Sequence, residues 1–101
     1  MKAIVKRHDE EVGHITEIEN TLEALQEAVG GYIETLTLKY DPADEKPIVV
    51  ICNEEGWLQD FPYNCTVGNF ELCGTILVVG VDGDEFTDVP ISLDEWKEEW
   101  L

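Results

Sequence analysis

Ile48-Val49-Val50-Ile51-Cys52 is an unbroken apolar run, mostly branched at Cβ, with no polar side chain to offer to water. Branching at Cβ stiffens χ1 and favours extended backbone. The lack of alternation means that both faces of this strand are covered. Thr75-Ile76-Leu77-Val78-Val79-Gly80-Val81 has the same character. Two buried strands need a layer on either side, so the flanking segments must supply two amphipathic covers. The expectation is an α+β fold: a mostly antiparallel sheet of four to six strands, a helix on one face, and a second helix at an edge or on the other face.

The covers are readable. Asn20 with Glu23 resembles a capping box opening a helix over 21–29. Leu22, Leu25, Ala28 and Val29 form its apolar stripe, and Gly30-Gly31 ends it. Ser92 with Glu95 opens a short C-terminal helix over 92–100, whose Leu93, Trp96 and Trp100 share one face. Lys2–Lys6 and His14–Glu19 read as a hairpin around an acidic turn. Tyr32–Tyr40 alternates, with Leu36, Leu38 and Tyr40 on one face and Thr35, Thr37 and Lys39 on the other. Asp41-Pro42 and Lys46-Pro47 bracket a loop. Asn53-Glu54-Glu55-Gly56 turns the chain, and Trp57-Leu58 begins a return. Residues 59–71, with Pro62, Asn64, Gly68 and Asn69, read as irregular. One domain spans 1–101, with no repeat, linker or low-complexity tract.

Charge is the unusual quantity. The 101 residues carry 23 Asp+Glu against 6 Lys+Arg, a formal net charge of -17, while 44% of them are apolar. That apolar content supports a core, and the charge repels nucleic acid and anionic membrane, leaving a basic protein as the natural partner. The plainer alternative is that the carboxylates serve solubility. Cys52, Cys65 and Cys73 are an odd set with no close pair, which suits free thiols in a reducing, cytoplasmic setting. The N-terminus lacks the apolar stretch of a signal peptide, and no apolar run approaches the length of a membrane span.

Catalytic chemistry finds little purchase. His8 and His14 lack the spacing of a zinc site. Asp82-Gly83-Asp84-Glu85 starts like a calcium loop, but Phe86 stands at a ligand position and Thr87 where glycine is required, so a β-turn is expected. Cys52 has no histidine nearby in sequence and reads as a buried structural thiol. No phosphate-binding loop or nucleophile elbow is present. The chain is therefore expected to be non-enzymatic, with no cofactor and no metal.

Glu17–Glu34, Ile48–Leu58 and Gly74–Gly83 together resemble a family of small uncharacterised proteins, a domain of unknown function found in phages, plasmids and conjugative elements of Gram-positive bacteria. The likeness covers roughly residues 2–86, with Asn53-Glu54-Glu55-Gly56 its most specific piece, and leaves the Trp-rich acidic tail outside. It carries no catalytic or ligand residues across. It implies a mobile-element setting, in which inhibitors of host defence are common.

The functional expectation is an acidic inhibitor of a host defence nuclease, of the anti-CRISPR or anti-restriction type, that covers a basic nucleic-acid-binding surface and mimics DNA. At one phosphate per about 1.7 Å of duplex axis, the net charge matches about 29 Å of DNA, close to the size of such a domain. Candidate contact residues are Asp9, Glu10 and Glu11, then Asp82, Asp84, Glu85 and Asp88, and the helical arc Asp94, Glu95, Glu98 and Glu99. That arc contains like-charge i,i+4 pairs and places carboxylates at a helix C-terminus, both locally unfavourable. The chain would act as a monomer or small homo-oligomer. The alternative is an adaptor or regulatory module that docks through Trp57 or the Trp96/Trp100 helix, since an exposed tryptophan marks an interface anchor. A third possibility is an enzyme or small-ligand binder with an unrecognised pocket.

Overall fold

The computed structural model describes residues 1–39 and 47–101. Strands β1 (Lys2–Lys6), β2 (His14–Glu17), β3 (Ile33–Lys39), β4 (Ile48–Asn53), β7 (Ile76–Asp82) and β8 (Glu85–Thr87) form one antiparallel sheet. Its order is β2-β1-β7-β4-β3, with β8 pairing the far end of β7 beyond β1. The two apolar runs lie side by side at its centre, Val50 opposite Val78 and Ile51 opposite Leu77. Strands β5 (Tyr63–Val67) and β6 (Phe70–Cys73) form a separate hairpin. Tyr40 and the Asp41-Pro42 to Lys46 loop lie outside the described residues.

Each face of the sheet carries its own core. Ala3, Val49, Ile51, Leu77 and Val79 point to one side, where helix α1 (Leu22–Val29) lays Leu25 and Val29 on them. Ile4, Val50, Cys52, Ile76 and Val78 point to the other. There the β5-β6 hairpin, through Cys65, Val67 and Leu72, and helix α2 (Leu93–Trp100), through Trp96, complete the second core. The result is three layers, as strands apolar on both sides require, with α2 on the face opposite α1.

Some local expectations need correction. The N-cap of α1 is Thr21, whose hydroxyl accepts from the Ala24 N–H at 3.2 Å. Asn20 instead donates through Nδ2 to the Phe86 carbonyl at 2.8 Å, tying the helix entry to β8. Leu22, at the margin of the stripe, stays exposed. Gly30 ends the helix at φ 81°, as its left-handed tolerance allows, and donates to Gln26 O. Ser92 caps α2 by accepting from the Glu95 N–H at 3.1 Å.

The larger correction concerns residues 59–71, expected to be irregular. Tyr63–Val67 and Phe70–Cys73 are strands, joined by the two-residue turn Gly68-Asn69 with Val67 opposite Phe70. Gly68 sits at φ 59°, the conformation such a turn demands. The apparent breaker Asn64 points inward, accepting from Lys6 Nζ at 2.7 Å and donating to Lys6 O and Gly74 O at 2.8 and 2.7 Å. Trp57-Leu58 is likewise no strand, because residues 54–60 run in consecutive turns.

A candidate docking cleft and the acidic surface

The turn after β4 is built to hold its shape. Asn53 is buried, and its Oδ1 accepts from the Glu55 N–H at 2.7 Å while its Nδ2 donates to the Val29 carbonyl at 3.1 Å. The turn is thus pinned to the end of α1. Gln59 N–H donates to Glu55 O at 2.9 Å, and Phe61 N–H to Gly56 O at 3.0 Å, winding the segment further. A Cβ on Gly56 would stand 3.2 Å from the Cys73 carbonyl, so the turn sits tightly on β6.

This rigid turn shows apolar side chains to solvent. Trp57 is 62% exposed and Leu58 84%, and Phe70 on β6 is 51% exposed. Between them lies an open cleft of about 160 Å³, floored by Leu36, Cys52, Leu72 and Cys73 and edged by Glu34, Glu54, Glu55 and Glu71. Among the described residues, no lysine, arginine or histidine lines it. Isolated exposed apolar residues are ordinary, whereas an aromatic pair and a leucine around one concavity mark an interaction surface.

The floor of the cleft is chemically quiet. Burial, with the Glu34 charge as a second cause, pushes the Cys52 thiol up from its ordinary 9.0 to about 11. Burial also raises Cys73, with Glu71 adding to it, and raises Cys65, where Lys6 works in the opposite direction. At neutral pH the Cys52 thiolate population therefore falls roughly a hundredfold below that of a free thiol. Native protein is expected to react with an aromatic disulfide reagent at Cys52 at least about fiftyfold more slowly than guanidinium-unfolded protein. The contribution of this thiol to folding is fully present below pH 9.0 and fades as pH rises toward about 11.

Of the eleven carboxylates singled out from the sequence, ten fall in three places, and Asp88 follows β8 beside the start of β1. Asp9, Glu10 and Glu11 occupy the β1-β2 turn, next to the start of β7, since Lys6 pairs with Ile76. Asp82, Asp84 and Glu85 form the β7-β8 hairpin at the other end of β7, about 20 Å away at the rise of an extended strand. That hairpin is a two-residue turn, as its Asp-Gly chemistry suggested. Asp94, Glu95, Glu98 and Glu99 lie exposed on the outer side of α2, whose inner side is fixed by Trp96 Nε1–H donating to Val12 O at 3.0 Å. The sheet thus separates the first two groups.

Several of these carboxylates have local partners. Glu10 lies 3.3 Å from Arg7 and 2.8 Å from His14, and Asp9 3.8 Å from Arg7. The His14 hydrogen bond, then the Arg7 backbone N–H, holds Glu10 below the usual carboxylate range. Asp88 Oδ1 accepts from Lys2 N–H at 2.7 Å, anchoring the start of β1. Among the described residues, the other eight make no ion pair. The cleft glutamates were not among the residues singled out. Part of their signal was present in sequence, as Trp57-Leu58 one glycine after Glu54-Glu55, but Glu34 joins them only through the pairing of β3 with β4, and Glu71 only through the packing of the β5-β6 hairpin on the sheet.

Among the described residues, no group of three histidine, cysteine or acidic side chains is placed to hold a metal ion, and no helix is long and apolar enough to cross a membrane. A family model described as Domain of unknown function (DUF3846) matches residues 1–101, the acidic tail included. No curated protein and no solved structure matches the chain.

Proposed function

We propose that this chain, which belongs to that family of unknown function over its whole length, is a non-catalytic protein-binding module for a basic partner protein. One observation carries the reading: Trp57, Leu58 and Phe70 are held in solvent around a cleft whose charged groups, among the described residues, are all carboxylates. Burying such side chains against a partner contributes roughly 1.5–3 kcal/mol each, and aromatic anchors in desolvated pockets dominate interface energies. The surrounding negative field steers a cationic surface toward them and speeds encounter. The raised thiols leave the cleft without a ready nucleophile. Free, buried cysteines suit a reducing, cytoplasmic setting.

The test is capture from a lysate of cells that naturally carry the gene, with wild type, Trp57→Ala, and Glu54→Lys/Glu55→Lys compared across a salt series. Trp57 is exposed, so its loss should change stability by less than about 0.5 kcal/mol. It should weaken a specific partner by about 2 kcal/mol, roughly thirtyfold. Charge reversal should weaken the same partner most at low salt. A set of captured proteins identical for all three chains would end the proposal.

A second reading makes the charge itself the recognition element: a mobile-element-encoded inhibitor that occupies the basic nucleic-acid channel of a host defence nuclease. Its support is α2, where Asp94, Glu95, Glu98 and Glu99 are exposed and, among the described residues, unpaired. Reversing Glu95, Glu98 and Glu99 to Lys separates the readings. Loss of partner binding there, with Trp57→Ala neutral, favours charge mimicry.

A further inference from the structure

The cleft runs on to a sheet edge that is free among the described residues. There, strand β3 pairs only with β4. Glu54 N–H donates to Tyr32 O, so Tyr32 faces β4, and by alternation Glu34 and Leu36 do too. The other side of β4 agrees: Val81 N–H donates to Pro47 O, which turns Pro47, Val49 and Ile51 toward β7. The main-chain N–H and C=O groups of Ile33, Thr35 and Thr37 therefore point away from the sheet. Among the described residues they have no partner.

Free edges of this kind are ordinarily guarded by proline, lysine or a bulge. From Ile33 to Thr37 the pairing with β4 is regular, and the one irregularity falls later, between Thr37 and Lys39. The same strand sends Glu34 and Leu36 into the cleft beside Trp57 and Phe70. Main-chain hydrogen-bonding groups and an acidic apolar cleft thus lie along one line, the arrangement that strand addition uses.

We propose that β3 accepts an extended segment of the partner as an added antiparallel or parallel strand, its main chain bonding Ile33, Thr35 and Thr37 and its alternate side chains, basic and apolar, entering the cleft. The inference rests on the docking reading above. Charge complementarity selects the occupant: Glu34, Glu54, Glu55 and Glu71 edge the cleft, with no cation beside them among the described residues. A second copy of this chain, bearing the same net charge of -17, would be repelled from it.

The probe is an acetylated peptide whose every second residue is arginine or valine in turn, with threonine between them, so that one face of the strand carries both; it is compared with an analogue N-methylated at every second residue and with a glutamate-for-arginine analogue. The parent peptide is expected to slow amide exchange at Ile33, Thr35 and Thr37 by about tenfold or more at saturation. The N-methylated and glutamate analogues should each bind about tenfold more weakly or worse. Thr35→Pro removes an outward N–H from an edge strand and no bond to β4, so it should fold, checked by circular dichroism, and lose the peptide. No binding by the parent peptide overturns the proposal. So does binding that depends on Trp57 yet ignores N-methylation and leaves the β3 amides unprotected, although the docking reading then survives. That reading fails separately, if partner capture ignores Trp57 and salt alike.

Discussion

Asn64→Leu is expected to lower the stability of the fold by about 3 kcal/mol, a large share of the 5–15 kcal/mol typical of a domain this size. Lys6 is 3% exposed, and its ammonium is held by Asn64 Oδ1 at 2.7 Å with no carboxylate in salt-bridge range among the described residues. Leucine removes that acceptor, and it also orphans the Gly74 carbonyl, which Asn64 Nδ2 now reaches at 2.7 Å. A buried charge stripped of its partner costs far more than the bond itself contributes. The double variant Lys6→Met/Asn64→Leu should regain most of the loss, because an apolar pair of similar volume leaves no charge to solvate. Urea midpoints of the two variants against wild type measure this. A loss below about 1 kcal/mol for Asn64→Leu would mean that Lys6 swings its ammonium to water, and the buried network would not be what fastens β5 to β1.

The second large effect is at Trp96. It is fully buried, stacks on Trp100 with ring centroids 6.3 Å apart, and donates Nε1–H to Val12 O at 3.0 Å. Trp96→Ala should cost about 3–5 kcal/mol, the range for deleting a buried aromatic. Trp96→Phe, which keeps most of the apolar volume and loses the hydrogen bond, should cost about 1–2 kcal/mol. Trp100→Ala should cost less than Trp96→Ala, since Trp100 is only partly buried. The reason for so large an effect lies in α2 itself. Its outer side carries Asp94, Glu95, Glu98 and Glu99, so its like-charge pairs oppose the helix. Packing of Trp96, with Leu93 and Trp100, supplies what propensity withholds. Equal costs for Trp96→Ala and Trp100→Ala would show that α2 is not fastened this way.

Both effects concern positions of different legibility. Trp96 was readable: the spacing of Leu93, Trp96 and Trp100 behind a Ser92 cap marks the buried side of a helix before any coordinates are known. Asn64 was not. In sequence it stands among Pro62, Gly68 and Asn69 and reads as a breaker, and only its meeting with Lys6, far away in the chain, makes it a strand residue. Gly68-Asn69 between Val67 and Phe70 was a hairpin signal in its own right, hidden by the same polar neighbours.

The candidate site divides similarly. Trp57 and Leu58 after Glu54 and Glu55 were visible as an apolar-acidic pair, and an exposed tryptophan was the stated mark of an anchor. Their exposure follows from the winding of residues 53–61 around Asn53, which no periodicity announces. The acidic groups were visible as composition, while their separation across β7 depends on which strand end each turn occupies.

By itself, the sequence determined the layers: two apolar runs that must be central, two capped stripes that must cover them, and a surface dense in carboxylates. Those features are local, because covering an apolar face and capping a helix depend on neighbours a few residues away. Tertiary structure alone decided the strand order, the open edge of β3, and the gathering of Glu34, Glu71 and Phe70 around Trp57. Pairing between distant strands is set by the joint packing of all their side chains, which no short window of sequence contains.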